Sequence, residues 1–216
     1  RDFNIEDSMK RNYRVIPIKT LELPIDMDDS SLFRQMKSDC RNFIRQFERR
    51  GATLEIAQPD DKFAEEYYQQ LIEVFSKQGL IPTYSCEKVK ILLRNLGNSE
   101  NLLCLRVRDP EGECIATSIF PAYGQYFYFW GGASYRAHQN YRPNEYMIWK
   151  AIQYWRARGC KFFDMVGVRD YKKKFGSHEV QYAKIIFTRF PILIFARNLA
   201  EKLFYLSRRW ARRSFH

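Results

Sequence analysis

The chain has no C-x-x-C pair, no H-E-x-x-H and only three histidines in 216 residues. Those absences leave zinc binding and thioredoxin-like redox chemistry without a ligand set, and no metal site is expected. Its five cysteines (Cys40, Cys86, Cys104, Cys114 and Cys160) are odd in number and scattered. That is the usage of reduced, buried thiols in a reducing compartment. No apolar run approaches the ~18 residues of a membrane span, and no secretory leader opens the chain, so it reads as soluble and cytoplasmic. Internal repeats, low-complexity tracts and an interdomain linker are missing too. The first residue is Arg1, not Met, which leads one to expect a chain trimmed or cut from something longer.

What is present is aromatic and basic. Apolar residues make up 45%, aromatic ones 16%, and the net charge is +11. The first two supply a core, against disorder. The third calls for an anionic partner: nucleic acid, a phosphorylated cofactor or an anionic membrane surface.

Periodicity divides the chain into mixed elements. Tyr13 to Ile18 and Leu21 to Ile25 read as extended pieces broken by Pro17 and Pro24. A helix capped at Ser30 or Ser31 runs through Leu32, Phe33, Met36, Cys40, Phe43, Ile44 and Phe47 to Gly51. Thr53 to Ala57 is a short strand. Pro59-Asp60-Asp61 then opens a helix whose apolar face is Phe63, Tyr67, Leu71, Val74 and Phe75, ending at Gly79. A third helix runs from a Ser85 cap to Gly97. Three antiparallel strands follow, Asn101 to Arg108, Glu113 to Pro121 and Tyr126 to Trp130, turning at Pro110-Glu111-Gly112 and at Gly124. After an irregular stretch comes a helix from Pro143 to Arg158. Lys161 to Val166 is a strand, a basic loop follows, Val180 to Phe187 is the last strand, and the tail from Phe190 is an amphipathic helix. This order implies an α/β (α+β) domain with a largely antiparallel central sheet and helices on both faces.

Three elements carry a resemblance. Trp130-Gly131-Gly132-Ala133 with Pro143-Asn144-Glu145, Trp149, Ala151-Ile152, Gly159 and Phe163-Asp164 is similar to the second GNAT-like half of FemABX proteins. Tyr171-Lys172-Lys173-Lys174-Phe175-Gly176 resembles that family's F-K-x-x-F-G element, and the helix from Cys40 to Gly51 its R-x-x-I-R pattern. The resemblance covers residues 20 to 188. It implies a GNAT-like fold and an acyltransferase that moves an aminoacyl or acyl group to an amine on a cell-wall or polysaccharide precursor. The implied donor is aminoacyl-tRNA or acyl-CoA as co-substrate, with no tightly bound cofactor. Family members carry two such halves. Residues 1–29 then read as a remnant of a first half, 30–188 as the acyltransferase domain, and 189–216 as a basic helix. Relatives that use acetyl-CoA carry a Q/R-x-x-G-x-G/A turn before the central helix; here that place holds Arg136 to Arg142 without glycine. Two other classes stay open: an acetyl-CoA-dependent sugar N-acetyltransferase, and a non-catalytic RNA- or membrane-binding domain.

The resemblance puts Lys172 opposite the acyl donor as the cation for a tetrahedral oxyanion, with Tyr171, Lys174 and Phe175 beside it. The bland alternative is a solvated basic loop. Asp164 at a strand end and Glu145 in a helix's first turn are candidates to take the proton from the attacking amine. Asp164 equally suits the amides of the turn at Gly167, and Glu145 the helix dipole. Asn144 is a cap or a ligand donor. Tyr128 and Trp130 share a strand face, fit for stacking on a base or for core. Arg41, Arg45, Arg136 and Arg142 are candidate phosphate partners. The tail sets Arg197, Lys202, Arg208, Arg209, Arg212 and Arg213 against Glu201, which suits peripheral contact with the inner membrane face and a lipid-linked acceptor.

Overall fold

The structure is a computed structural model, and it describes residues 13–77, 79–187, 192–193, 195–200 and 203. The chain divides into one body, Thr20–Val180, and a second made of Arg1–Lys19 and Gln181–His216.

In order, the elements are β1 (Tyr13–Pro24), α1 (Asp29–Gln35), α2 (Ser38–Arg49), β2 (Thr53–Ile56), α3 (Asp61–Ser76), α4 (Cys86–Leu96), β3 (Leu102–Arg108), β4 (Cys114–Tyr123), β5 (Tyr126–Tyr128) and β6 (Gly131–Ser134). A 3₁₀ turn (Arg136–Tyr141), α5 (Pro143–Arg156), β7 (Phe162–Asp164), α6 (Asp170–Lys173) and β8 (His178–Phe187) complete them. The sheet order is β2-β3-β4-β5-β7-β1-β8, with β6 off this path on β4. Neighbours with recorded registers are antiparallel except β5 and β7, which run parallel. The mixed, mostly antiparallel GNAT-like sheet expected from the sequence is therefore present.

Period two sorts the central strands between two cores. Leu103, Leu105 and Val107 face one core with α1, α2 and α5, through Leu32, Ile44, Phe47, Met147, Ile152 and Trp155. Cys104 and Ile119 face the other, with Phe63, Ala64, Tyr67 and Leu71 of α3 and Val89 and Leu93 of α4. Arg106 shares that second face, held by Glu55 and Glu66.

Local chemistry explains the boundaries and the departures from expectation. Asp60 caps α3 by accepting the Phe63 N–H at 2.8 Å, a bond worth about 1 kcal/mol. The single helix expected from Ser30 to Gly51 is two. Asp28, not a serine, caps the first, and Met36 and Lys37 are extended between them. The Lys37 N–H donates to the Lys174 carbonyl at 2.8 Å, so a tertiary bond replaces a helical one. The two N-terminal pieces are one strand, β1, with Pro17 inside it. The irregular stretch after Trp130 contains β6, and the basic loop contains α6.

In the second body, residues 195–200 are helical. Ile192, Phe195, Leu199 and Leu203 recur at helical spacing and are exposed. The basic run from Arg208 onward lies outside the described residues. Among the described residues, no helix is long and apolar enough to cross a membrane.

Candidate active site

The sheet opens between β6 and β7. β5 and β7 pair in parallel through Tyr126–Phe162, Phe127–Phe163 and Tyr128–Asp164. The Phe129 N–H donates a last bond to the Asp164 carbonyl at 3.0 Å. Beyond it the strands part. Met165 N–H turns to the Leu21 carbonyl of β1 at 2.9 Å, and Val166 (φ 54) and Gly167 (φ 82) carry the chain away. β6 stays on β4, through Ile119–Gly131 to Ala116–Ser134. Its other edge has no strand partner among the described residues.

A cavity of about 330 Å³ fills this opening. β6 and its approach supply Phe129, Gly132, Ala133 and Ser134; α3 supplies Val74 and β4 Ser118. From the other face of the sheet come Gln139, Arg142, Pro143, Asn144, Glu145 and Ile148, with Tyr171 and Lys174 closing the side left by β7. The cavity therefore reaches from the N-terminus of α5 through the sheet toward α3. Gly132 keeps the edge bare: a Cβ there would lie 2.6 Å from Ser118 Oγ and 2.9 Å from Phe129 Cζ.

The first turn of α5 opens on Pro143, which has no N–H, and has no side-chain cap, so the N–H groups that follow the proline remain available. Arg142 precedes it in the left-handed region (φ 60), its guanidinium 4.2 Å over the Phe43 ring and its Nε buried without a partner. Asn144 Nδ2 donates to Ser134 Oγ at 3.1 Å, tying α5 to β6. Lys174 Nζ donates to Glu145 Oε1 at 2.5 Å, both side chains largely buried. The charged side chains of the wall are thus Arg142, Lys174 and Glu145, with one net positive charge.

The structure places the sequence candidates unequally. Tyr171, Lys174, Asn144, Glu145 and Arg142 line the cavity. Lys172 does not. It is buried, and its Nζ donates to the Met165 carbonyl at 2.5 Å and the Val166 carbonyl at 2.9 Å. Burial first and the charge of Arg169 second, with Asp164 opposing, push its pKa down to about 8. Asp164 lies in the same turn, accepting from Thr20 Oγ1 at 2.5 Å and the Val166 N–H at 2.8 Å. Phe175 is core. Trp130 packs with Tyr67 and Tyr84, and Tyr128 lies against Tyr126; neither lines the cavity. Arg136 gives its N–H to Glu73. Arg41 donates to the carbonyls of Arg34 and Met36, and Arg45 lies over Phe33. Phe129, Ser118, Val74, Ser134 and Gln139 were missed by sequence reasoning. The double glycine after an aromatic strand was the signal for the first of them.

All five cysteines are free. Burial pushes Cys40 and Cys104 up to about 12 and Cys114 to about 11, values at which a thiolate nucleophile is not formed. Among the described residues no cluster of His, Cys, Asp or Glu could hold a metal.

A family profile described as an acetyltransferase (GNAT) domain matches residues 34–173. The chain belongs to the GNAT acetyltransferase family. Its GNAT domain is an acyltransferase domain, and the strand opening lies within the matched region. Among solved structures it is similar to FemX, 15% identical with a TM-score of 0.69 over 78% of this chain and 61% of that one. It is also similar to L-PGS from Bacillus licheniformis, 14% identical with a TM-score of 0.59 over 88% and 67%. The chain thus spans 61% of the length of FemX. No curated protein matches it in sequence.

Proposed function

We propose that this GNAT domain transfers an aminoacyl group from the 3′ end of a tRNA to an amine, by direct attack in the opening between β6 and β7. The observation that carries this is the cavity itself, which joins an uncapped helix N-terminus to an unpaired strand edge. The donor's phosphate lies at the first turn of α5, where free N–H groups, Arg142 and Lys174 favour an anion. The acyl end reaches through the opening toward Val74. There a main-chain N–H on the free edge of β6 polarises its carbonyl and takes the charge of the tetrahedral oxyanion. One such donor is worth about 10²–10³ in rate. With no thiolate in the wall, the amine attacks the ester directly: the C–N bond forms, the ester C–O bond breaks, and the tRNA ribose leaves as its hydroxyl, taking up the proton the amine loses.

The family implies acetyl-CoA, and the residues at α5 fit it poorly. A pyrophosphate approaches backbone closely where glycine allows it. Here the turn from Arg136 to Arg142 has no glycine, and the Glu145 carboxylate already stands in the first turn beside Lys174. One net positive charge suits a single phosphodiester better than two adjacent phosphates and a third at the ribose. The motif likeness to FemABX transferases admits aminoacyl-tRNA as a donor beside acyl-CoA.

Equilibrium binding of a charged tRNA acceptor minihelix and of acetyl-CoA, side by side at low salt, tests this. Tighter binding of the minihelix by at least about tenfold, weakening with salt, is expected. Tighter binding of acetyl-CoA would replace this reading by acetyl transfer.

A further inference from the structure

The turn from Asp164 to Gly167 is held more firmly than a loop needs. Val166 is β-branched, half exposed, and left-handed at φ 54, a conformation such residues adopt only when their surroundings over-determine it. Its N–H side is held by Asp164, whose Oδ1 accepts the Val166 N–H at 2.8 Å, while Thr20 Oγ1 accepts the Gly167 N–H at 3.0 Å. Its carbonyl side is held by Lys172, at 2.5 Å to Met165 and 2.9 Å to Val166. Two of the ammonium's three donors are thereby used. The aromatic rings of Phe129 and Tyr171 lie over the ammonium, at 5.2 and 5.7 Å. Residues on either side of Lys172, Tyr171 and Lys174, form the cavity wall.

Resting on the acyl-transfer reading, we propose that Lys172 and Asp164 are positioning residues. They clamp the left-handed turn that leads β7 away from β6, and so fix Tyr171 and Lys174 in the wall. Lys172 reaches the reaction through main-chain carbonyls and not by contact with the acyl oxygen. The two roles differ in kinetics. A group that meets only the oxyanion changes kcat and leaves donor KM alone. A clamp that shapes the wall changes donor KM as well, and its loss is relieved by any change that makes the turn easier to adopt.

Lys172→Met, Val166→Gly and Lys172→Met/Val166→Gly, compared with the wild type, make the test. Glycine takes φ > 0 without strain, so the turn needs less holding. Expected for Lys172→Met is a rise in donor KM together with a fall in kcat. The second change should recover at least about tenfold of the kcat/KM lost, a coupling beyond additivity. Amide hydrogen exchange across residues 163–175 should rise in Lys172→Met and return in the double variant. If Lys172→Met does not fold, the double variant carries the test: activity near wild type supports the clamp. A double variant that folds, keeps wild-type donor KM and stays about 10²–10³-fold low in kcat overturns it. Wild-type kcat gives a further readout. A neutral amine still donates two N–H bonds, so kcat should hold as pH rises through 8; a tenfold fall per pH unit would mean the charge itself acts. Absence of turnover in the wild type would count against tRNA-dependent transfer, while hydrogen exchange would still decide the clamp.

Discussion

Lys174→Met is expected to lower kcat/KM for transfer by about 10²–10³-fold. Lys174 and Arg142 are the cations of the cavity wall, and Glu145 offsets one of them. Removing the ammonium brings the wall to neutrality, so a phosphate entering at α5 meets only Arg142 and the helix N–H groups. The same change leaves Glu145 largely buried with its partner gone, at a cost to stability of about 3 kcal/mol. The two effects separate in Lys174→Met/Glu145→Gln. Stability should largely return, because no charge is left unpaired, while donor affinity should recover only in part, since Arg142 restores one net positive charge to the wall but the Lys174 ammonium that meets the phosphate is gone. Thermal melts and donor titrations on both variants check this. Unchanged transfer by Lys174→Met would mean that the donor enters elsewhere.

A second large effect is expected on stability. Arg106 stands in β3 on the α3 side of the sheet and is buried. Its Nε donates to Glu66 Oε2 at 2.6 Å and its Nη1 to Glu55 Oε1 at 2.8 Å, with Phe63 5.6 Å beneath the guanidinium. Arg106→Met roughly keeps the volume and strands the largely buried Glu66, while Glu55, half exposed, keeps the bond from Arg108 Nε at 3.3 Å. The expected loss is about 3–5 kcal/mol, or roughly 10 °C in Tm for a domain of this size. Arg106→Met/Glu66→Leu should regain most of it, since a buried pair replaced by apolar groups is often neutral. The pH dependence has a definite sign. The hydrogen bond from Arg106 holds Glu55 below the usual carboxylate range. Stability from that bond is present above the ordinary carboxylate pKa and is lost as pH falls through the lowered one. Denaturant unfolding at neutral and acid pH checks both points; a single variant as stable as the wild type would contradict them.

Both effects depend on side-chain pairing across elements, and here sequence reading was weakest. The layered fold was legible because its signals are local and repeat. The aromatic strand with its glycines, the proline opening α5 and the apolar stripe of α3 each specify one element. The break at Met36 was not legible. Its residues suit a helix, and only the Lys174 carbonyl, more than 130 positions away, ends it. The same holds at the site. Five candidate residues reached the cavity because motif spacing places them near the α5 turn and α6. Lys172 looked like the exposed middle of a basic run, or like a group facing the donor. It is buried because the turn at Val166 presents two carbonyls to it, and a backbone in the left-handed region at a valine leaves no mark in composition. Tyr128 and Trp130 share a period-two face, but Trp130 is taken up by Tyr67 and Tyr84, residues whose nearness depends on how α3 packs.

A crystal structure with a non-hydrolysable aminoacyl analogue of the tRNA 3′ end tests the central claim most directly. The aminoacyl carbonyl is expected beside the free edge of β6 near Gly132, with the terminal phosphate on the first turn of α5 between Arg142 and Lys174. An analogue seated outside the opening between β6 and β7, with that cavity still empty, would contradict the account.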